Sequence, residues 1–155
     1  MTERPTGRPH VLDASVAVSW LLRLPDEAHG AHAERLVAER VAGRVHLVGP
    51  PHLTTDVGSA LLKAVRCGRI TPERGRTLME QFRRLRVREL PADPAMLAAW
   101  DFAHRFGCSY HDAGYLALAD LLGCPFVHAD DKLRDKLAGQ FPHEVWIEDY
   151  RPAAV

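Results

Sequence analysis

The sequence lacks a net charge and a cysteine framework, and each absence excludes a class of protein. Lys plus Arg and Asp plus Glu are each 20 among the 155 residues, so an overall basic attraction for nucleic acid is excluded and any basic surface must be local. The cysteines, Cys67, Cys108 and Cys124, are odd in number and lack CxxC spacing. This argues against both a disulfide framework and a zinc knuckle, and we expect a reducing, cytoplasmic compartment.

The chain also lacks a convincing export or membrane segment. The apolar run over residues 11–22 resembles a signal sequence, but it contains Asp13 and is followed by no clear small-residue cleavage site. We therefore expect neither export nor membrane insertion. A chain of 155 residues suits one compact domain. We predict a loose arm over 1–9, a single domain over 10–150 and a short tail over 151–155.

Short apolar or β-branched runs alternate with helical patterns along the chain. The runs lie at 11–12, 45–48, 86–90, 126–127 and 145–147. Apolar stripes of helical spacing fill the gaps, for example Leu97, Trp100 and His104. This alternation predicts an α/β protein, a three-layer α/β/α sandwich with a mostly parallel sheet of about five strands. Ligands bind such sheets beyond the carboxyl ends of the strands, where the strand order reverses.

Four aspartates stand at junctions between these elements: Asp13, Asp56, Asp112 and Asp130. Each alone has a plain structural interpretation, because Asp favours helix starts, where it accepts backbone N–H bonds. Together they predict an acidic cluster at one edge of the sheet. Two such charges ~4 Å apart repel by ~4 kcal/mol at an effective dielectric of ~20, and a divalent cation removes this penalty. Carboxylate ligands favour Mg²⁺ or Mn²⁺, and phosphodiester hydrolysis is the simplest chemistry for such a site.

Four motifs occur in order along the chain: VLDASV at 11–16, LTTDV at 53–57, YHDAGYLALA at 110–119 and HAD at 128–130. In order and spacing they resemble the PIN-domain ribonucleases, in particular the VapC toxins of bacterial type II toxin-antitoxin pairs. The resemblance implies a PIN-like sandwich and a metal-dependent endoribonuclease with Mg²⁺ or Mn²⁺ as cofactor. It also implies an RNA substrate, a cognate antitoxin protein as partner and a homodimer. Asp13, Asp56, Asp112 and Asp130 correspond to the family's acidic positions, and Ser15 would line the same pocket.

Two positions depart from the family's pattern. Asp56 stands where Glu is usual and reaches roughly 1.5 Å less far, so it acts through a water or leaves activity weakened. His128 stands where Thr or Ser usually precedes Ala-Asp. Its imidazole could join the pocket, orient a water or fill space, and we favour the last because lone histidines seldom ligate metal. Asp131 is either an additional acid of the pocket or a solvated cap.

The segment 63–88 is locally basic. It holds nine basic residues against Glu73 and Glu80, an excess of seven positive charges. The segment either follows an RNA backbone, with Arg83 and Arg84 as candidate contacts, or is solvated helix surface.

Two rival functions remain open. The first is a catalytically weakened or inactive PIN-like module that binds RNA or a protein partner, with Asp56 as a sign of decay. The second is phosphotransfer, since other folds also place aspartates at strand ends. The sequence disfavours phosphotransfer, because no second acid lies two positions after Asp13 and no strand-end Lys of the receiver kind is found.

Overall fold

The centre of the fold is a parallel sheet in the order β3-β2-β1-β4-β5. A computed structural model describes residues 6–154. The strands of this part of the chain are β1 (Arg8–Leu12), β2 (Val45–Gly49), β3 (Arg88–Glu89), β4 (Phe126–His128) and β5 (Glu144–Trp146).

Helices connect the strands and cover the sheet. They are α1 (Ala14–Leu22), α2 (Gly30–Val41), α3 (Leu53–Arg66), α4 (Pro72–Arg84), α5 (Met96–Phe106), α6 (Tyr110–Leu122) and α7 (Asp131–Leu137), with 3-10 turns at Asp93–Ala95 and Ile147–Asp149. Helices α1 to α4 pack together, whereas α5 and α6 pack on each other and α6 contacts β1. Among residues 6–154, no helix is both long enough and apolar enough to span a membrane.

Both faces of the sheet are covered. Successive residues of a strand point to opposite faces, yet Val11 and Leu12 of β1 are both buried, as are Phe126 and Val127 of β4. A strand that buries consecutive residues has a packed layer on each side. The predicted three-layer α/β/α sandwich with a parallel sheet is therefore confirmed.

The strand bounds differ from the prediction most clearly at β1, β3 and β5, whereas β2 and β4 are each one residue longer than predicted. Strand β1 begins at Arg8, two residues before the predicted domain start at His10, because Arg8 and Pro9 pair with β2. Residues 1–5 of the expected arm lie outside the described residues. Strand β3 is shorter than the predicted 86–90, since Arg86 has a φ of 52°, a left-handed conformation that no strand accommodates. Strand β5 ends at Trp146, and a 3-10 turn begins at the next residue.

The apolar stripe recognised on α5 faces solvent. Leu97 and Trp100 are 73% and 68% exposed. The helix instead buries its alanines against those of α6, in a cluster of Ala95, Ala99, Ala113 and Ala117. Small side chains let two helix backbones approach closely, and this contact rotates the larger residues of α5 toward solvent.

Candidate functional site

The strand order reverses at β1, and two of the four aspartates follow the strands at this point. Strand β1 pairs with β2 on one side and with β4 on the other. Asp13 comes directly after β1, and its backbone N–H donates to the carbonyl of Val127 in β4 over 3.0 Å. Asp130 follows β4 by one residue. The carboxyl ends of two neighbouring strands thus bring residues 117 positions apart to the same edge of the sheet.

Asp13 is the most buried of the four aspartates. It caps α1, and its Oδ2 accepts hydrogen bonds from the backbone N–H of Ser15, over 3.1 Å, and from the Ser15 hydroxyl. Ser15 Oγ in turn accepts the backbone N–H of Ala129 over 2.9 Å, which joins the loops that follow β1 and β4. The carboxyl is only 8% exposed. Burial raises its pKa from 3.8 to about 6, although the hydrogen bonds from Ser15 oppose the shift.

Asp112 and Asp130 interact with each other and, through Asp112, with Asp13. Asp112 lies in the first turn of α6, where its backbone N–H donates to Ser109 Oγ over 3.0 Å. Asp130 caps α7 by accepting from the Leu133 N–H over 3.1 Å. Burial and then the charge of Asp130 raise the pKa of Asp112, and the charge of Asp112 contributes to the raised pKa of Asp13. Capping and membership of an acidic group are therefore compatible at these positions.

Asp56 is held by α6. Its Oδ2 accepts the Tyr115 hydroxyl over 2.6 Å, and its Oδ1 lies 2.5 Å from Nε2 of His111. Burial, and next the charge of Asp13, raise the pKa of Tyr115, so its phenol keeps the proton that it donates to Asp56. Sequence reasoning gave Tyr115 no role. The available signal was its position three residues after Asp112, which places the two side chains on one face of α6.

A tight group of metal-binding side chains surrounds Asp56. One nitrogen of His52, one of His111 and one oxygen of Asp56 all lie within 4.8 Å of one another. Within residues 6–154, Asp13, Asp112 and Asp130 do not form such a group, although the charge of Asp130 raises the pKa of Asp112 and the charge of Asp112 raises that of Asp13. The sequence prediction overlooked both histidines. His52 precedes Asp56 by four residues, and this spacing was the signal for their proximity.

His128 connects two elements and does more than fill space. The side chain is fully buried, with Nε2 2.9 Å from Glu144 Oε1 in β5. Its Nδ1 accepts the backbone N–H of Asp130 over 3.3 Å, which requires Nδ1 to be unprotonated and assigns the proton to Nε2. The imidazole thus orients the loop that carries Asp130. Asp131, by contrast, is exposed at the start of α7.

The basic segment forms part of an open groove. Arg83 and Arg84 are exposed on α4 and line a groove of about 970 Å³ together with Thr54 at the start of α3. Arg83 is already paired with Glu80, at 2.6 Å. Part of the positive charge counted from the sequence is therefore compensated within the chain.

The acidic group fits a hard divalent cation. Its donors are carboxylate oxygens, which Mg²⁺ and Mn²⁺ prefer. Desolvation and mutual repulsion raise the pKa of both Asp13 and Asp112, and hydrogen bonds from Ser15 and Ser109 compensate only in part. A cation among these side chains would relieve that cost.

The chain matches the family model described as PIN domain over residues 10–137. It is 33% identical over 133 residues to ribonuclease VapC9 of Mycobacterium tuberculosis, covering 85% of this chain and 94% of VapC9. It is 34% identical over 123 residues to ribonuclease VapC12 of the same species, covering 79% and 88%. The crystal structure of PAE2754 from Pyrobaculum aerophilum is similar with a TM-score of 0.67 at 18% identity, covering 96% of this chain and 90% of that one, and this likeness concerns the fold alone.

Proposed function

Because the chain belongs to the PIN-domain family, we propose that it is a metal-dependent endoribonuclease and the toxin of a type II toxin-antitoxin pair. Its relatives VapC9 and VapC12 are named as ribonucleases. The observation that carries the proposal is the buried Asp13 at the reversal of strand order, electrostatically coupled to Asp112. Buried carboxylates whose pKa is raised cluster at functional sites.

In this proposal Asp13, Asp112 and Asp130 hold Mg²⁺ or Mn²⁺. Asp56 acts from the other side of the pocket through a water, because its carboxylate is engaged by Tyr115. When bound, the cation supplies stabilisation of the negative charge that develops on the phosphate oxygens. Ser15 keeps the carboxylate of Asp13 in one orientation.

The substrate in this proposal is single-stranded or looped RNA in the cytoplasm. Its backbone would follow the groove along α4, where Arg84 lies 3.9 Å from Glu80 and is less tightly paired than Arg83. The partner would be a cognate antitoxin whose tail enters the groove at the acidic pocket. A homodimer would give the exposed Leu97 and Trp100 of α5 an apolar surface to contact.

The test is RNA cleavage by the purified chain with Mg²⁺, with Mn²⁺ and with chelator. We expect metal-dependent products with 5′-phosphate ends. Asp13→Asn should reduce the rate at least ~100-fold, because even a residue that only orients a metal ligand contributes 10- to 100-fold. Asp101→Asn, at an exposed aspartate of α5, is the matched control and should cleave like the wild type.

The possible outcomes distinguish an active nuclease from a catalytically inactive module. Cleavage that persists in Asp13→Asn would contradict the assigned site. RNA binding without cleavage at any metal concentration would favour the alternative, a catalytically inactive module that binds RNA or a protein partner. Capture of Asp56 by Tyr115 and His111 is the specific observation in favour of that alternative.

A further inference from the structure

The cluster around Asp56 has a donor set unlike that of the acidic pocket. His52 and His111 supply imidazole nitrogen and Asp56 supplies one carboxylate oxygen, within 4.8 Å of one another. Two nitrogens and one oxygen suit Zn²⁺ and similar transition metals better than Mg²⁺. Tetrahedral Zn²⁺ with bonds near ~2.0–2.1 Å needs ligand atoms about 3.3 Å apart, so modest side-chain rotation would complete the site.

The histidines are oriented by contacts outside the cluster. His52 Nε2 lies 2.9 Å from the carbonyl oxygen of His111, which can only accept, so Nε2 carries the proton and the other ring nitrogen keeps its lone pair. The two rings lie 4.0 Å apart. Gly114 makes room for this arrangement, because a Cβ at that position would lie 2.7 Å from His52 Cε1.

Asp56 is oriented by a hydrogen bond of the kind that orients metal-binding carboxylates. The Tyr115 hydroxyl donates to Oδ2, and this leaves Oδ1 directed at His111. Hydrogen bonds to the distal oxygen of a carboxylate fix its orientation toward a metal. Access from solvent is open, since the side chain of His111 is 51% exposed.

We infer that His52, Asp56 and His111 form a second cation site, selective for Zn²⁺-like transition metals, whose occupation withdraws Asp56 from the nuclease pocket. A bound ion would take the place of the proton between His111 and Asp56, and that proton would move to Nδ1 of His111. The inhibitory consequence rests on the proposed nuclease function. The binding itself does not, because it needs neither RNA nor Mg²⁺.

The test is calorimetric titration of the metal-free full chain with Zn²⁺, in a Cys67→Ser background that removes the exposed thiol. We expect Zn²⁺ to bind the cluster in this background and equally in the Asp13→Asn variant, which leaves the cluster unchanged and disables the acidic pocket as a competing site. His52→Ala combined with His111→Ala should weaken the affinity at least tenfold, because losing a ligand costs no less than losing its orienting partner. His104→Ala replaces an exposed histidine of α5 and should bind like its parent.

Equal Zn²⁺ affinity in the parent and in the double variant would overturn the inference. His52→Gln, which keeps a polar side chain at the half-buried position, supplies the same comparison if the double variant does not fold. Its affinity should also fall about tenfold. Loss of Zn²⁺ binding in Asp13→Asn would instead assign the ion to the acidic pocket and contradict the second site. In the nuclease assay, one equivalent of Zn²⁺ should slow the Mg²⁺-supported reaction of the parent but not that of His52→Gln.

Discussion

Replacing Asp13 with Asn should stabilise the metal-free chain at neutral pH, although the substitution removes the central acidic side chain. The carboxyl is only 8% exposed, and burial raises its pKa from 3.8 to about 6. Between these values the folded chain binds more protons than the unfolded chain, so the free energy of unfolding falls as the pH rises. Below about pH 4 the carboxyl is protonated in both states and the cost is absent.

The expected size of the effect follows from the same shift. At ~1.4 kcal/mol per pH unit, the difference between 3.8 and about 6 corresponds to about 3 kcal/mol at pH 7 and above. Asn stays neutral and still accepts from the backbone N–H of Ser15, so Asp13→Asn should recover most of this cost. For a domain of this size the gain corresponds to about 5–10 °C in Tm.

Thermal unfolding in chelator from pH 4 to pH 8 measures the effect. We expect the variant to unfold at a higher temperature than the wild type at pH 8, and the two curves to converge near pH 4. Millimolar Mg²⁺ should raise the Tm of the wild type at pH 8 and not that of Asp13→Asn, because a ligand that binds only the folded state stabilises it. A variant less stable than the wild type at pH 8 would refute the reasoning.

Three further variants test the surroundings of the site. His128→Thr, which installs the residue usual in the family, should cost about 2–4 kcal/mol in thermal unfolding because it removes a buried hydrogen-bonded ring, and an unchanged Tm would contradict the connecting role. Replacing Arg83 and Arg84 with Ala should reduce the slope of log RNA affinity against log salt concentration by about 1–2, measured by anisotropy in chelator. An unchanged slope would exclude this surface as an RNA contact. Gly114→Ala should weaken Zn²⁺ binding about tenfold by displacing His52. The higher helix propensity of Ala, ~1 kcal/mol, should keep the Tm close to that of the parent. Unchanged Zn²⁺ affinity would show that the close approach of Gly114 to His52 is not needed for binding.

Much of the fold could be predicted from local patterns. Alternating apolar runs and helical stripes specify the parallel sheet, and Asp13 and Asp130 are recognisable because they lie within two residues of a strand end. Periodicity does not indicate which face of a helix packs against which neighbouring element. The stripe of Leu97 and Trp100 is apolar, yet α5 turns its alanine face inward, because the small alanine side chains let it pack closely on α6.

The partners of the site residues were harder to predict than the residues themselves. Tyr115 and Asp56 are 59 positions apart, and His128 and Glu144 belong to different strands. Such contacts depend on how elements pack, whereas local spacing indicates only which residues share a face of the same helix. This is why the sequence predicted an acidic site but not the connecting role of His128.

The position of β1 in the sheet determines which part of the molecule can open without unfolding. Strand β1 is paired on both sides, whereas β3 contributes only two residues at one border. Local opening favours short border strands over the centre. In hydrogen exchange, the amide of Leu90, bonded to Gly49 at 2.8 Å, should therefore exchange long before that of Asp13. The border of the sheet next to the groove along α4 should therefore open locally while the end of β1 that precedes Asp13 stays closed.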